Sequence, residues 1–126
     1  MRVDEMRREL LRAAVSRRTV TYGELMRKFN LGRGDAGRGV VAVLGEVDAA
    51  EYAAGAPGFA ALVVRKDTGY PGGGYFCWDD VPVVLRRPPD RRQDPELSDS
   101  EKKYIREQQE RIWSYYSAAW GQRSLA

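Results

Sequence analysis

Apolar residues return every three or four positions through the first fifty residues of this chain. Val3, Met6, Leu10 and Ala13 or Ala14, flanked by Leu11 and Val15, predict an amphipathic helix over Asp4 to Ser16. Asp4 and Glu5 fall in its first turn and Arg17 and Arg18 follow its last, the polarity a helix dipole favours. A second helix is marked by Tyr22, Leu25, Met26 and Phe29, one face at i, i+3, i+4, i+7. Thr21-x-x-Glu24 reads as its capping box, and Asn30, Gly32 and Gly34 break it. Asp35 is the natural N-cap of a third helix, in which Val40, Val41, Leu44 and Val47 repeat before a stop at Gly55. Two amphipathic helices joined by a short glycine-bearing turn are helix-turn-helix grammar. Glu46, Asp48 and Glu51 crowd the C-terminal end of the third helix, against its dipole.

Beyond Gly55 the period shortens. Phe59 to Arg65 is an apolar run of strand length, and Lys66-Asp67-Thr68-Gly69 reads as a hairpin loop. The return leg, Tyr70 to Phe76, holds Pro71 and Gly72-Gly73-Gly74, a poor strand that implies close backbone approach. Val81 to Leu85 reads as a last short strand. Residues 86–96 are basic and proline-broken, as a linker is. Asp94-Pro95 and Ser98-x-x-Glu101 then start a long helix reaching about Trp120. Its stripe is Ile105, Gln109, Ile112, Tyr116 and Ala119, widened by Trp113 and Trp120. The expected architecture is α+β. A winged helix-turn-helix-like core of three helices plus a β-hairpin occupies 1–85, with a linker over 86–96. An aromatic amphipathic helix over 97–120 packs on that domain or on a partner.

Composition narrows the chemistry. The 126 residues suit one domain. There is no histidine, which removes most zinc sites and His-based acid–base or nucleophilic catalysis. The single cysteine, Cys77, cannot form an internal disulfide and fits a reducing cytoplasm. Met1 opens directly into a charged helical pattern, and no apolar run reaches membrane length, so a cytoplasmic chain is expected. Neither metal nor cofactor is expected. Glu24, Glu46, Asp48, Asp79, Asp80 and Lys66 are the residue types of a metal-dependent nuclease. The adjacent pair Asp79-Asp80 would point to opposite faces of a strand, however, and a non-catalytic protein is the expectation.

Charge is uneven around a net +3. Residues 1–40 carry ten Arg/Lys against five Asp/Glu, residues 41–80 two against six, and residues 81–126 nine against seven. A basic end on a helix-turn-helix suits double-stranded DNA. Arg33 and Arg38 at the start of the third helix, with Arg65 and Lys66 on the hairpin, are the candidate contacts; Arg7, Arg8 and Arg12 are lesser ones. The aromatic helix supports a different class of function. Trp113, Tyr116 and Trp120 are the residue types of binding hot spots, and they offer a surface to another protein or a second copy.

Two resemblances follow. Thr21-Tyr22-Gly23-Glu24-Leu25, Arg38-Gly39-Val40-Val41-x-x-Leu44, a proline before an apolar strand, Gly69 and Gly72-Gly73-Gly74-Tyr75 occur in a familiar order. Over roughly 18–76 they resemble the winged helix-turn-helix domain of the O6-alkylguanine-DNA alkyltransferases and alkyltransferase-like proteins. That likeness implies minor-groove binding through the third helix, with Arg38 in the arginine role and Tyr22 as the helix-start tyrosine. The family's Pro-Cys-His-Arg segment would fall at Pro57-Gly58-Phe59-Ala60, which lacks the cysteine, so alkyl transfer is not implied. Most of the chain is also similar to small proteins of actinobacteria and their phages. The shared residues are Tyr22, Leu25, Pro57, Ala61-Leu62-Val63-Val64, Thr68 to Phe76 and Trp113. This second likeness implies a phage or actinobacterial origin and no particular activity. The leading expectation is a non-catalytic DNA-binding protein; the alternative is a phage-encoded protein that modulates a host protein through its aromatic helix.

Overall fold

The computed structural model describes residues 2–31, 39–72, 75–76, 81–88 and 96–125, without the side chains of 2 and 119–125. It is helix-dominant and mixed: four helices and a two-stranded parallel sheet. The helices are α1 (Arg2–Val15), α2 (Tyr22–Phe29), α3 (Val40–Ala53) and α4 (Asp99–Leu125). The strands are β1 (Val20–Thr21) and β2 (Val63–Val64).

Each helix end has a local cause. Thr21 Oγ1 accepts the Glu24 N–H at 3.1 Å, the hydroxyl half of the expected capping box. Asn30 closes α2 in the left-handed region at φ 53°, and Gly55 does so after α3 at φ 80°, with the Ala56 N–H reaching back to Glu51 O. At the start of α4 both halves of the box form. The Glu101 N–H donates to Ser98 Oγ at 3.1 Å, and the Ser98 N–H donates to Glu101 Oε1 at 2.8 Å. Asp35, the expected cap of α3, lies outside the described residues; the described helix begins after Gly39, which makes no side-chain cap bond.

The core gathers the predicted faces. Met6, Leu10, Ala13 and Ala14 of α1 meet Leu25, Val40, Leu44, Val47, Phe59 and Leu62. From α4, Ile112 and Tyr116 join this core, while Ile105 joins Phe76 and Val81 in a smaller cluster. Gln109, the one polar member of the α4 stripe, donates to the Ala61 carbonyl at 3.0 Å, so its amide is satisfied where it is buried.

The wing is where expectation and structure part. The run Phe59–Arg65 is not one strand: Ala60–Leu62 form a single 3₁₀ turn and only Val63–Val64 are extended. β2 pairs with β1, in parallel, with Val20 opposite Val63 and Thr21 opposite Val64. No hairpin forms among the described residues. Pro71 has no N–H to give a ladder, and the return leg carries glycine besides. Gly73 and Gly74 lie outside the described residues. The expected strand at Val81 to Leu85 is likewise a 3₁₀ turn, Val83–Leu85, closed by the Leu85 N–H on Pro82 O. Nor is the basic segment that follows wholly solvated, since Arg87 is buried.

α4 is docked by polar contacts as well as by its stripe. The Trp113 indole N–H donates to Arg18 O at 3.1 Å, and the Arg17 guanidinium lies over the same ring at 5.7 Å while pairing with Glu110. Arg17 has φ 55°, a conformation rarely taken by a side chain of that size. Its contacts to α4 offset the strain.

Candidate functional site

The parallel pair fixes a cleft. Because Thr21 stands opposite Val64, the next residues along each segment, Tyr22 and Arg65, leave the sheet side by side. They line a cavity of about 520 Å³ with Gly23, Met26, Lys66 and Gly72. Val41 and Asp67 complete it, and Val41 brings the first turn of α3 to its edge.

The loop after β2 is built to hold this shape. The Gly69 N–H donates to Arg65 O at 2.8 Å and the Arg65 N–H to Tyr70 O at 2.9 Å. Gly69 has φ 76°, which glycine adopts without strain. Tyr70, at the loop's end, accepts from Arg106 Nη1 of α4 at 2.9 Å. The long helix therefore braces the loop.

Within the cleft the charges divide unequally. Arg65 clamps Asp67 with two bonds, Nε to Oδ1 at 3.1 Å and Nη2 to Oδ2 at 2.8 Å. The hydrogen bonds from Arg65 hold the Asp67 carboxyl below its usual range. Lys66 has no such partner among the described residues and is exposed, so it is the available cation. Burial pushes the Tyr22 hydroxyl up, opposed by a bond to the Gly72 backbone and the nearby Arg65 charge. It stays protonated at neutral pH and can donate. One phenol donor, one free ammonium and one partly neutralised guanidinium make a surface for an anionic, oxygen-rich ligand.

Of the five residues expected at DNA, Tyr22, Arg65 and Lys66 thus share one cleft. Arg33 and Arg38 lie in the segment leading into α3, outside the described residues. Asp67 and Gly72 were not anticipated there; a carboxylate two residues after an arginine in a loop is the only signal that pointed to the clamp. The lesser candidates are mostly engaged elsewhere. Arg7 pairs with Glu51 and Arg12 with Glu9, while Arg8 is exposed.

The aromatic candidates on α4 have structural partners. Tyr116 is 4% exposed, stacks on Phe59 at 4.7 Å, and sets its hydroxyl 2.6 Å from Pro57 O and 2.9 Å from Glu51 Oε2. Burial and the Glu51 carboxylate raise the pKa of that hydroxyl far above its usual value. Trp113 is held by Arg17 and Arg18, as above. The Trp120 side chain lies outside the described residues. Of the nuclease-type acids, Asp48 is buried in the fold, and no group of three or more His, Cys, Asp or Glu side chains among the described residues could hold a metal ion. No described helix is long and apolar enough to cross a membrane. Comparisons with protein-family models, with curated proteins and with solved structures give no match.

Proposed function

We propose that this chain is a non-catalytic DNA-binding protein of winged helix-turn-helix type. In this reading α2 and α3 are the helix pair, and the braced 65–70 loop takes the place of a hairpin wing. The observation that carries it is the register of β1 on β2, which sets Tyr22 beside Arg65 and Lys66 at the edge where α3 begins. Arg33 and Arg38 come shortly before α3 in the sequence. Phosphate oxygens match what the cleft offers: donors, positive charge and an open mouth. The competing reading, capture of a protein by the aromatic helix, has Trp113 and Tyr116 already committed to intramolecular packing.

The test is a fluorescence anisotropy titration with a labelled random duplex at low and at raised salt. Micromolar binding that weakens steeply with salt is expected. Lys66→Ala should weaken binding about equally for all sequences and reduce the salt slope by roughly one. Arg38→Ala should weaken it more. If both variants bind the duplex as wild type does, the cleft is not the interface.

A further inference from the structure

The cleft holds an anion of its own. Arg65 and Asp67 stand two residues apart in the loop after β2, and both line the cavity with Tyr22 and Lys66. Asp67 occupies the side edge of the guanidinium, with Nε on Oδ1 at 3.1 Å and Nη2 on Oδ2 at 2.8 Å. That fork is one a phosphate would use, since carboxylate and phosphate meet arginine in the same two-bond geometry.

The pair can open. Its side chains are 41% and 62% exposed, and an exposed pair of this kind shifts an equilibrium by no more than about fivefold. The loop does not depend on it. The Gly69 N–H on Arg65 O and the Arg65 N–H on Tyr70 O close the turn through the backbone. Backbone N–H groups at Asp67 and Thr68 also face the Asp67 carboxylate, and a neutral amide oxygen would satisfy them equally.

Opening has a consequence for what binds. An isolated oxyanion that takes Arg65 replaces one anion with another and gains little. If it approaches from the Nη1 side instead, it meets Asp67 on the same flat group, like charge beside like charge. Exchange becomes favourable when the incoming oxygens also reach Lys66 and the Tyr22 hydroxyl, the other donors of the cleft. A run of phosphates meets that condition, and a lone anion does not.

We propose that Asp67 is a specificity-determining residue of this cleft, holding Arg65 against isolated oxyanions and releasing it to a phosphate backbone that engages Lys66 at the same time. This role rests on the reading of the cleft as a duplex DNA contact. The experiment uses the full chain and a fluorescein-labelled random duplex, read by anisotropy over a salt series. Asp67→Asn keeps an oxygen for the turn and should melt as wild type does. It is expected to bind the duplex about threefold more tightly at low salt, with a salt slope steeper by roughly one, because Arg65 then counts as a free cation. Glu107→Gln neutralises an exposed acid of α4 outside the cleft lining and should change binding by well under about twofold. In an Arg65→Gln background the gain from Asp67→Asn should vanish. In parallel, inorganic phosphate is titrated into ¹⁵N-labelled protein at constant ionic strength. The Arg65 Nε–H signal should move in Asp67→Asn and stay nearly still in wild type. An Asp67→Asn protein that binds duplex no better than Glu107→Gln, or more weakly than wild type, overturns the proposal. Phosphate that moves Arg65 equally in both proteins overturns it too. If Lys66→Ala weakens duplex binding in the same series, the DNA reading survives that failure; if no variant binds, both fall.

Discussion

Replacing Gly58 with alanine should destabilise the fold by about 3 kcal/mol and lower its melting midpoint by roughly 10 °C. A Cβ at Gly58 would sit 2.5 Å from the Asp48 Cγ, 2.6 Å from Oδ2 and 2.8 Å from Oδ1, distances no carbon tolerates. The carboxylate cannot retreat cheaply. It is buried at the end of α3 and accepts the Phe59 N–H at 2.7 Å and the Ala60 N–H at 3.2 Å. Moving it strands two amides at the turn that leads into β2. Gly55→Ala is the control: its φ is +80°, but nothing lies within 4 Å, so only backbone strain of about 1 kcal/mol applies. In an Asp48→Ala background, Gly58→Ala should add little, because the clash is gone. Thermal melts of the four variants and wild type decide it; a Gly58→Ala protein melting within 2 °C of wild type would show that the turn is not held this way.

The same contact explains a feature that looks wrong in the sequence. Acidic residues at the C-terminal end of α3 oppose its dipole. Asp48 is there to hold the Phe59 turn, and Glu51 receives Arg7 from α1 while lying against the Tyr116 hydroxyl of α4. Their partners are far along the chain, so no local pattern could have revealed them. What was legible was local: the α1 stripe, the Thr21 cap, the Ser98–Glu101 box, and the face of Ile105, Gln109, Ile112 and Tyr116. Pairing was not. Val20-Thr21 and Val63-Val64 are two residues each, too short for a period, and their parallel register depends on everything folded between them. The cleft inherits that blindness. Tyr22, Arg65 and Lys66 were each marked out as single residues, while their meeting rests on the strand register.

Arg87 carries the other large effect. It stands in a stretch that reads as a solvated basic linker, yet it and Glu101 have side chains only 7% and 9% exposed. Arg87 Nε donates to Glu101 Oε2 at 2.8 Å, and Nη2 donates to Oε1 at 2.9 Å and to Glu96 O at 2.7 Å. The guanidinium thereby ties the 86–88 strip, the cap of α4 and the face of Phe76 into one unit. Arg87→Met keeps the bulk and removes the charge, leaving the buried Glu101 carboxylate held, among the described residues, by Ser98. A loss of about 3–5 kcal/mol at neutral pH is expected.

The pH profile separates a lost ion pair from lost packing. In the wild type, burial pushes the Glu101 carboxyl up, but the hydrogen bonds from Arg87 and Ser98 outweigh it and hold the group below its ordinary 4.5. A depressed folded value means the stabilisation is complete above pH 4.5 and is lost as pH falls through the folded value. Without Arg87 the balance reverses. Burial then leads, the folded value rises above 4.5, and stability declines as pH climbs from that point toward neutrality. The gap between Arg87→Met and wild type should therefore be widest near pH 7 and narrow steadily toward pH 4. Urea melts across that range measure it. A deficit that stays constant with pH would mean that Arg87 acts through packing on Phe76, and that the pair with Glu101 contributes nothing to the fold.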